Sequence, residues 1–138
     1  MAAKDRIYRA VRIALEKDGW TITHDPYRIS HEGDVVEIDL GAERTIAAAR
    51  GDDIVAVEIK SFLGQSPIRD FETALGQFEV YAVALHEYDP DRRLFLAITT
   101  LAYEEVFSRP LVRLVPQSRP VPLLVVDLVG EEAVRWIT

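Results

Sequence analysis

The sequence predicts a mixed fold of the α/β or α+β class, in which helices cover a central β-sheet. Two amphipathic segments, residues 4–17 and 68–87, have the spacing of helices that bury one face. Two other segments, residues 54–60 and 93–99, are almost continuously apolar, as strands in the interior of a sheet are. Helices placed before and between strands can cover both faces of a mixed sheet, so we expect three layers around one core.

The chain is predicted to begin with a helix and a short strand. Apolar residues recur every three or four positions over residues 4–17, and Asp18 with Gly19 ends this helix. Residues 20–24 are rich in β-forming side chains and are broken by the Asp25–Pro26 dipeptide. We expect a short strand there, with an irregular tail over residues 27–29.

Three further strands are expected before the long helix. Residues 35–40 alternate between apolar and polar side chains, which predicts a strand that ends in Asp39 and Leu40. Residues 44–50 contain three alanines that favour helix, but the segment is short and lies between strands, so we predict a strand. Residues 54–60 form the next strand.

The rest of the chain is predicted to hold the long helix and a β-rich tail. After a loop over residues 61–67, the helix spans residues 68–87 and a buried strand follows at 93–99. Residues 102–107 predict a short helix. Three more strands complete the prediction, the last two forming a hairpin near Gly130: residues 111–115, 121–128 and 133–137.

Composition restricts the classes of protein that the chain can be. At 138 residues it fits one domain, residues 1–138, and its net charge of −7 argues against a protein that coats nucleic acid nonspecifically. It contains no cysteine, which excludes disulfides and thiol catalysis, so that any metal must be held mainly by oxygen ligands. Neither a membrane-spanning run nor a signal-peptide pattern is present, and a cytoplasmic location is expected.

Two opposite charges end the apolar run over residues 54–60. Because side chains alternate between the faces of a strand, Glu58 and Lys60 point the same way. An ionised side chain in a buried strand is costly unless it pairs, accepts hydrogen bonds or binds a metal. An isolated Glu-x-Lys is more often a partly buried ion pair than a reactive site, so its context decides.

Asp39, Gln77 and Tyr81 supply that context. If the strand of Asp39 lies beside that of Glu58, their two carboxylates can hold a divalent cation such as Mg²⁺ or Mn²⁺, which prefers hard oxygen ligands. Lys60 is then placed to stabilise charge on a phosphate. Gln77 and Tyr81, four residues apart, share one side of the long helix, and both can donate hydrogen bonds, although such a pair is common on ordinary helices.

The pattern Asp39, Glu58-Ile59-Lys60 and Gln77-x-x-x-Tyr81 resembles the PD-(D/E)xK nuclease superfamily. More specifically, the chain resembles the XisH family of cyanobacterial fdxN-element excision controlling factors. The resemblance covers nearly the whole chain and is carried most clearly by four segments: residues 19–27, 38–43, 57–62 and 73–78.

The resemblance implies a restriction endonuclease-like core with a site of five residues. Asp39 and Glu58 match the metal-binding acids, Lys60 the catalytic lysine, and Gln77 with Tyr81 the supporting helix motif. The superfamily's proline before the first acid is replaced by Ile38. Many relatives also carry an acid on the first helix, for which Asp5 and Glu16 are the candidates, although solvated helix charge is the more common state of such residues.

Two functions follow from the resemblance. The first is a Mg²⁺-dependent endonuclease that acts in the excision or rearrangement of a DNA element. The second is a non-catalytic excision-controlling factor that uses the nuclease fold to bind nucleic acid or a protein partner, since the XisH family is associated with a partner called XisI. The resemblance also suggests a homodimer. The choice between the two functions stays open at the level of sequence, because a fold does not establish an activity.

Overall fold

The computed structural model describes residues 2–36, 45–118 and 121–138, which contain four helices and eight strands. The elements in chain order are α1 (Ala3–Lys17), β1 (Thr21–His24), β2 (Ile29–His31), β3 (Asp34–Val36), β4 (Thr45–Arg50), β5 (Asp53–Ile59), α2 (Pro67–Tyr88), β6 (Arg93–Thr99), α3 (Thr100–Val106), α4 (Pro110–Ser118), β7 (Leu123–Asp127) and β8 (Glu132–Ile137). The predicted mixed α/β class is confirmed.

Six of the strands form one mixed sheet in the order β1-β4-β5-β6-β7-β8. The two central pairs, β5 with β6 and β6 with β7, are parallel, whereas the outer pairs are antiparallel. Parallel neighbours need a crossover connection, which α2 supplies for the first pair and α3 with α4 for the second. Strands β2 and β3 form a separate two-stranded sheet.

The sheet separates two hydrophobic clusters, and β5 contributes to both by simple alternation. Val55 and Val57 pack in a cluster with Leu15 of α1, whereas Ala56 belongs to a cluster with Phe78 of α2. The side of β5 that carries Ala56 is also the side of Glu58, because residues two apart in a strand share a face. The fold therefore directs Glu58 toward α2.

The predicted strand over residues 111–115 is wrong, because these residues lie in helix α4. Pro110 occupies the first helical position, where its fixed backbone angle and missing N–H cost nothing. Val112 is buried while Leu111 and Leu114 are exposed, a helical distribution and not a strand-like one. The run of apolar residues is too short for its periodicity to distinguish the two structures.

Strand β4 (Thr45–Arg50) occupies the described part of the segment predicted as a strand over residues 44–50, despite its alanines. Ala47 and Ala48 are fully buried between the two covering layers, where small side chains fit a central strand. The predicted irregular tail of the first strand instead includes β2, which pairs with β3. Of the predicted strand over residues 35–40, only the part up to Val36 is described, and Asp39 lies outside the described residues. Within the described ranges, no helix has the length and apolar content needed to cross a bilayer.

Candidate functional site

Glu58 is a fully buried carboxyl group near the end of β5. Its side chain is 0% exposed, and neither of its oxygens accepts a hydrogen bond from any described residue. Thr45 lies directly opposite on β4, and its buried hydroxyl also has no hydrogen-bond partner among the described residues. Because opposed residues of an antiparallel pair share a face, three unsatisfied polar atoms occupy one side of the sheet.

Burial changes the acidity of Glu58. Desolvation raises the pKa of its carboxyl group from 4.5 to about 7, and the nearby charge of Lys60 opposes part of this rise. Below about pH 7 the folded protein therefore favours the protonated acid, unless further positive charge is brought to it. A raised pKa in a buried acid that accepts no hydrogen bond from the described residues is typical of a functional site.

Lys60 follows β5 and is 5% exposed. Its backbone N–H donates to the carbonyl oxygen of Ala97 at 3.1 Å, which continues the pairing of β5 with β6 beyond the strand. Its ammonium group donates a hydrogen bond to the side-chain oxygen of Gln77 on α2. This bond fixes the direction of the lysine side chain from the helix that covers the same face of the sheet.

Tyr81 lies one helical turn after Gln77 and is fully buried. Its hydroxyl donates to the backbone carbonyl oxygen of Tyr27, in the segment between β1 and β2. The phenol of Tyr27 in turn donates to Asp89 just beyond α2, at 2.7 Å. Tyr81 thus ties the segment before β2 to the helix that positions Lys60.

We expect Tyr81→Phe to lower the free energy of unfolding by about 1 kcal/mol, because the carbonyl oxygen of Tyr27 loses its donor while the ring stays in place. Urea denaturation of both proteins measures the difference. Tyr103→Phe is the control, since the partly buried Tyr103 ring packs on Phe107 and its change removes the same atom elsewhere. Equal decreases in the free energy of unfolding of the two variants would show that the hydrogen bond of the Tyr81 hydroxyl does not stabilise the fold.

The loop after Lys60 is held in an unusual conformation. Phe62 has a φ of +54°, a left-handed conformation that is rare for an aromatic residue, and its ring packs edge-on against Phe107. Gly64 donates its N–H to the carboxylate of Asp70 at 2.8 Å, and a Cβ atom at Gly64 would lie only 2.4 Å from that carboxylate. Aromatic packing and a close backbone contact together define the wall beside the lysine.

Two cavities lie along α2 at this place. The first, of about 280 Å³, is lined by Lys60, Ser61, Asp70 and Thr73, together with Lys4 from the first turn of α1. The second, of about 440 Å³, lies between α2 and β3 and is lined by Thr73, Gln77, Tyr81, Val35 and Val80, among others. Thr73 lines both cavities, and the hydrogen bond from Lys60 to Gln77 joins a wall of one to a wall of the other.

The structure therefore brings together four of the sequence-predicted residues on one side of the sheet, although not all in direct contact: Glu58, Lys60, Gln77 and Tyr81. Asp39, the fifth, lies outside the described residues. Of the first-helix candidates, Asp5 and Glu16 are both exposed and line neither cavity.

Residues 2–36, 45–118 and 121–138 contain no group of three or more His, Cys, Asp or Glu side chains that could hold a metal ion.

Sequence reasoning did not single out two residues of this region, Thr45 and Lys4. Thr45 could have been found only by predicting the register of β4 against β5. Lys4 reaches the first cavity from the opposite end of the sequence, and no local pattern signals such a position.

The fold and site define a mixed α/β protein with a buried acid and an oriented lysine at one end of a central strand. The chain belongs to the XisH family, because the family model described as "XisH protein" matches residues 1–134. The family assignment from the sequence motifs is thereby confirmed.

Two solved structures are similar over nearly the whole chain. A crystal structure of an XisH family protein from Nostoc punctiforme PCC 73102 has 39% identity and a TM-score of 0.88, covering 97% of this chain and 100% of that one. A crystal structure of an fdxN element excision controlling factor protein from Anabaena variabilis has 41% identity and a TM-score of 0.86, covering 97% and 99%. A comparison with curated proteins found no match.

Proposed function

We propose that this chain is a divalent-metal-dependent endonuclease that acts in the excision or rearrangement of a DNA element. The observation that carries the proposal is the fully buried carboxyl group of Glu58, whose oxygens accept no hydrogen bond from the described residues and which lies two positions from an oriented lysine. A purely structural ion pair would leave fewer acceptor sites of the carboxylate unused.

The residues present fit a hard divalent cation. Glu58 offers two oxygens, and we assign Asp39 as the second acid on the strength of the sequence motif. When bound, Mg²⁺ or Mn²⁺ would supply positive charge to a phosphate oxygen and lower the pKa of water. The charge of the cation would also offset the cost of ionising Glu58. Burial raises the pKa of this residue to about 7.

Lys60 and Gln77 have separate roles in this proposal. The ammonium group of Lys60 stabilises the negative charge that builds on the phosphate during attack by water. Gln77 accepts a hydrogen bond from that group and so orients it, while its own N–H₂ remains available for substrate or water. Tyr81 holds α2 against the segment of Tyr27 and acts through position alone.

Placement in the PD-(D/E)xK superfamily, with a restriction endonuclease-like core, belongs to the same proposal. It is supported by the order of the motif residues and by a mixed sheet with α1 on one face and α2 on the other. The DNA element as target is supported by family membership and by the name of the Anabaena variabilis relative.

The test is cleavage by the purified chain of duplex DNA, single-stranded DNA and RNA, with Mg²⁺ or Mn²⁺ and with EDTA as control. We expect cleavage that requires the cation and that is lost in Glu58→Ala. Glu87→Ala, which removes an exposed acid of α2, is the matched control and should cleave normally. Equal cleavage by wild type and Glu58→Ala would overturn the assignment of Glu58.

A second candidate is a non-catalytic excision-controlling factor that binds DNA or an XisI-like protein, which the printed name of the Anabaena variabilis relative favours. Co-purification with an XisI-like partner together with normal excision in a Lys60→Met strain would support it. Loss of excision in that strain would favour the enzyme. Pairing of two copies is part of either proposal, since β1 and β8 lie at the edges of the sheet.

A further inference from the structure

Among the described residues that line it, the first cavity has more basic than acidic side chains, although the chain as a whole has a net charge of −7. Its lining includes two ammonium groups, from Lys4 and Lys60, and one carboxylate, from Asp70. The carboxylate accepts a hydrogen bond from the N–H of Gly64, so part of its charge is already compensated by the loop. A small cavity with two lysines in an acidic protein favours an anion.

Lys4 gives this cavity a charge that the five-residue motif does not include. It lies in the first turn of α1 and is partly buried, whereas its neighbours Ala3 and Asp5 are exposed. The other polar lining groups, Ser61 and Thr73, carry hydroxyls that can donate to an anionic oxygen. These groups suit a phosphate, which takes several donors from different directions.

The first and second cavities share Thr73 as a lining residue, so that a polymer lying along α2 could contact both. The first and second cavities follow α2 from Asp70 to Tyr81, a span of about 16 Å at 1.5 Å per residue. A nucleic-acid strand advances about 3.4 Å per nucleotide, so roughly four or five nucleotides fit along this length. The exposed apolar side chains Val35 and Val80 in the second cavity suit sugars or bases better than phosphates.

We propose that the cavity formed by Lys4, Ser61 and Thr73 binds a backbone phosphate of a nucleic-acid strand that lies along α2, next to the phosphate held at Lys60. The inference rests on the proposed function for the identity of its ligand. Lys4 is a substrate-positioning residue in this arrangement. It fixes the register of the strand against Glu58 and Lys60 without touching the reacting atoms.

The experiment measures binding of a short fluorescent DNA strand, and of its duplex, to the full chain in EDTA, where metal-dependent cleavage is absent. We expect Lys4→Ala to weaken binding roughly tenfold, because a charge-assisted hydrogen bond to phosphate is lost. The slope of log K against log salt should fall by about 0.7 for a single strand or about 0.9 for a duplex, the value for one phosphate contact. Lys4→Arg should retain most of the affinity.

Lys17→Ala is the matched control, since it removes the same charge from the other end of α1, where Lys17 donates to the carbonyl oxygen of Gly130. It should bind within twofold of wild type. Equal effects of Lys4→Ala and Lys17→Ala, or no binding of either DNA by wild type, would overturn the proposal. Binding of inorganic phosphate without binding of either DNA would likewise overturn the proposal and would indicate a small-anion site.

The two proposals fail in different ways. If Lys4→Ala weakens binding as expected but no cation supports cleavage, the phosphate site stands and the nuclease proposal fails. If cleavage requires Glu58 but Lys4→Ala binds like Lys17→Ala, the nuclease stands and the phosphate site fails. Thermal unfolding of each variant checks that the fold is retained.

Discussion

The Glu58→Gln variant is expected to be more stable than the wild-type protein by roughly 3 kcal/mol at about pH 8 in EDTA, and to lose that advantage on acidification. Burial raises the pKa of Glu58 from 4.5 to about 7 in the folded protein. Between these two values the folded state binds the proton more tightly than the unfolded chain, so the free energy of unfolding falls as pH rises. Glutamine has the same shape and no charge to desolvate.

The measurement is urea denaturation of both proteins across this pH range. The difference in unfolding free energy should grow from its value below pH 4.5 and level off above about pH 7. Glu87→Gln, on the exposed side of α2, serves as the control that changes an acid in contact with water. A difference that is constant with pH would contradict the assigned burial cost.

When Mg²⁺ replaces EDTA, the difference in unfolding free energy between Glu58→Gln and wild type should become smaller. A cation beside Glu58 stabilises the ionised carboxylate and binds only the folded wild type, so the advantage of Glu58→Gln should shrink. A protein that retains a costly buried acid, where an amide is more stable, retains it for a function that needs the charge.

Lys60→Met is expected to reduce cleavage by about 10²- to 10⁴-fold while leaving cation binding within a few-fold of wild type. Methionine has a similar length and lacks the ammonium group that stabilises the phosphate charge. Gln77→Ala should lose less activity, because Lys60 keeps its charge and loses only the acceptor that orients it. Single-turnover cleavage rates and calorimetric titration with Mn²⁺ measure the two effects separately.

Lys17→Met controls for the loss of one positive charge and should cleave at the wild-type rate. Cleavage by Lys60→Met at that same rate would show that the lysine only balances the charge of Glu58. If Gln77→Ala is as slow as Lys60→Met, the glutamine contacts substrate directly and does more than orient the lysine.

The elements with long, regular patterns could be predicted from the sequence. The shared direction of Glu58 in β5 and Lys60 just after it follows from alternation alone. The position of Gln77 on the same side of α2 as Tyr81 follows from helical spacing. The strand β4 is also predictable despite its alanines, because position between strands outweighs their helical propensity.

Features that depend on distant parts of the chain could not be predicted. The contact of Tyr81 with the carbonyl of Tyr27 depends on where a non-helical segment crosses α2, and the entry of Lys4 into the cavity depends on how α1 is placed against the loop after β5. Helix α4 differs from the predicted strand because its apolar residues fit a strand equally well, and the only local signal for a helix is Pro110 at its first position.

The central claim is that Glu58 and Asp39 together hold a divalent cation. The most direct measurement is anomalous diffraction from crystals of this chain grown with Mn²⁺, for wild type and Glu58→Gln. We predict an Mn²⁺ peak about 2.1 Å from one carboxylate oxygen of each acid in wild type, and its loss in the variant. Saturating Mn²⁺ with no peak at Glu58, or an equally strong peak in Glu58→Gln, would contradict the claim.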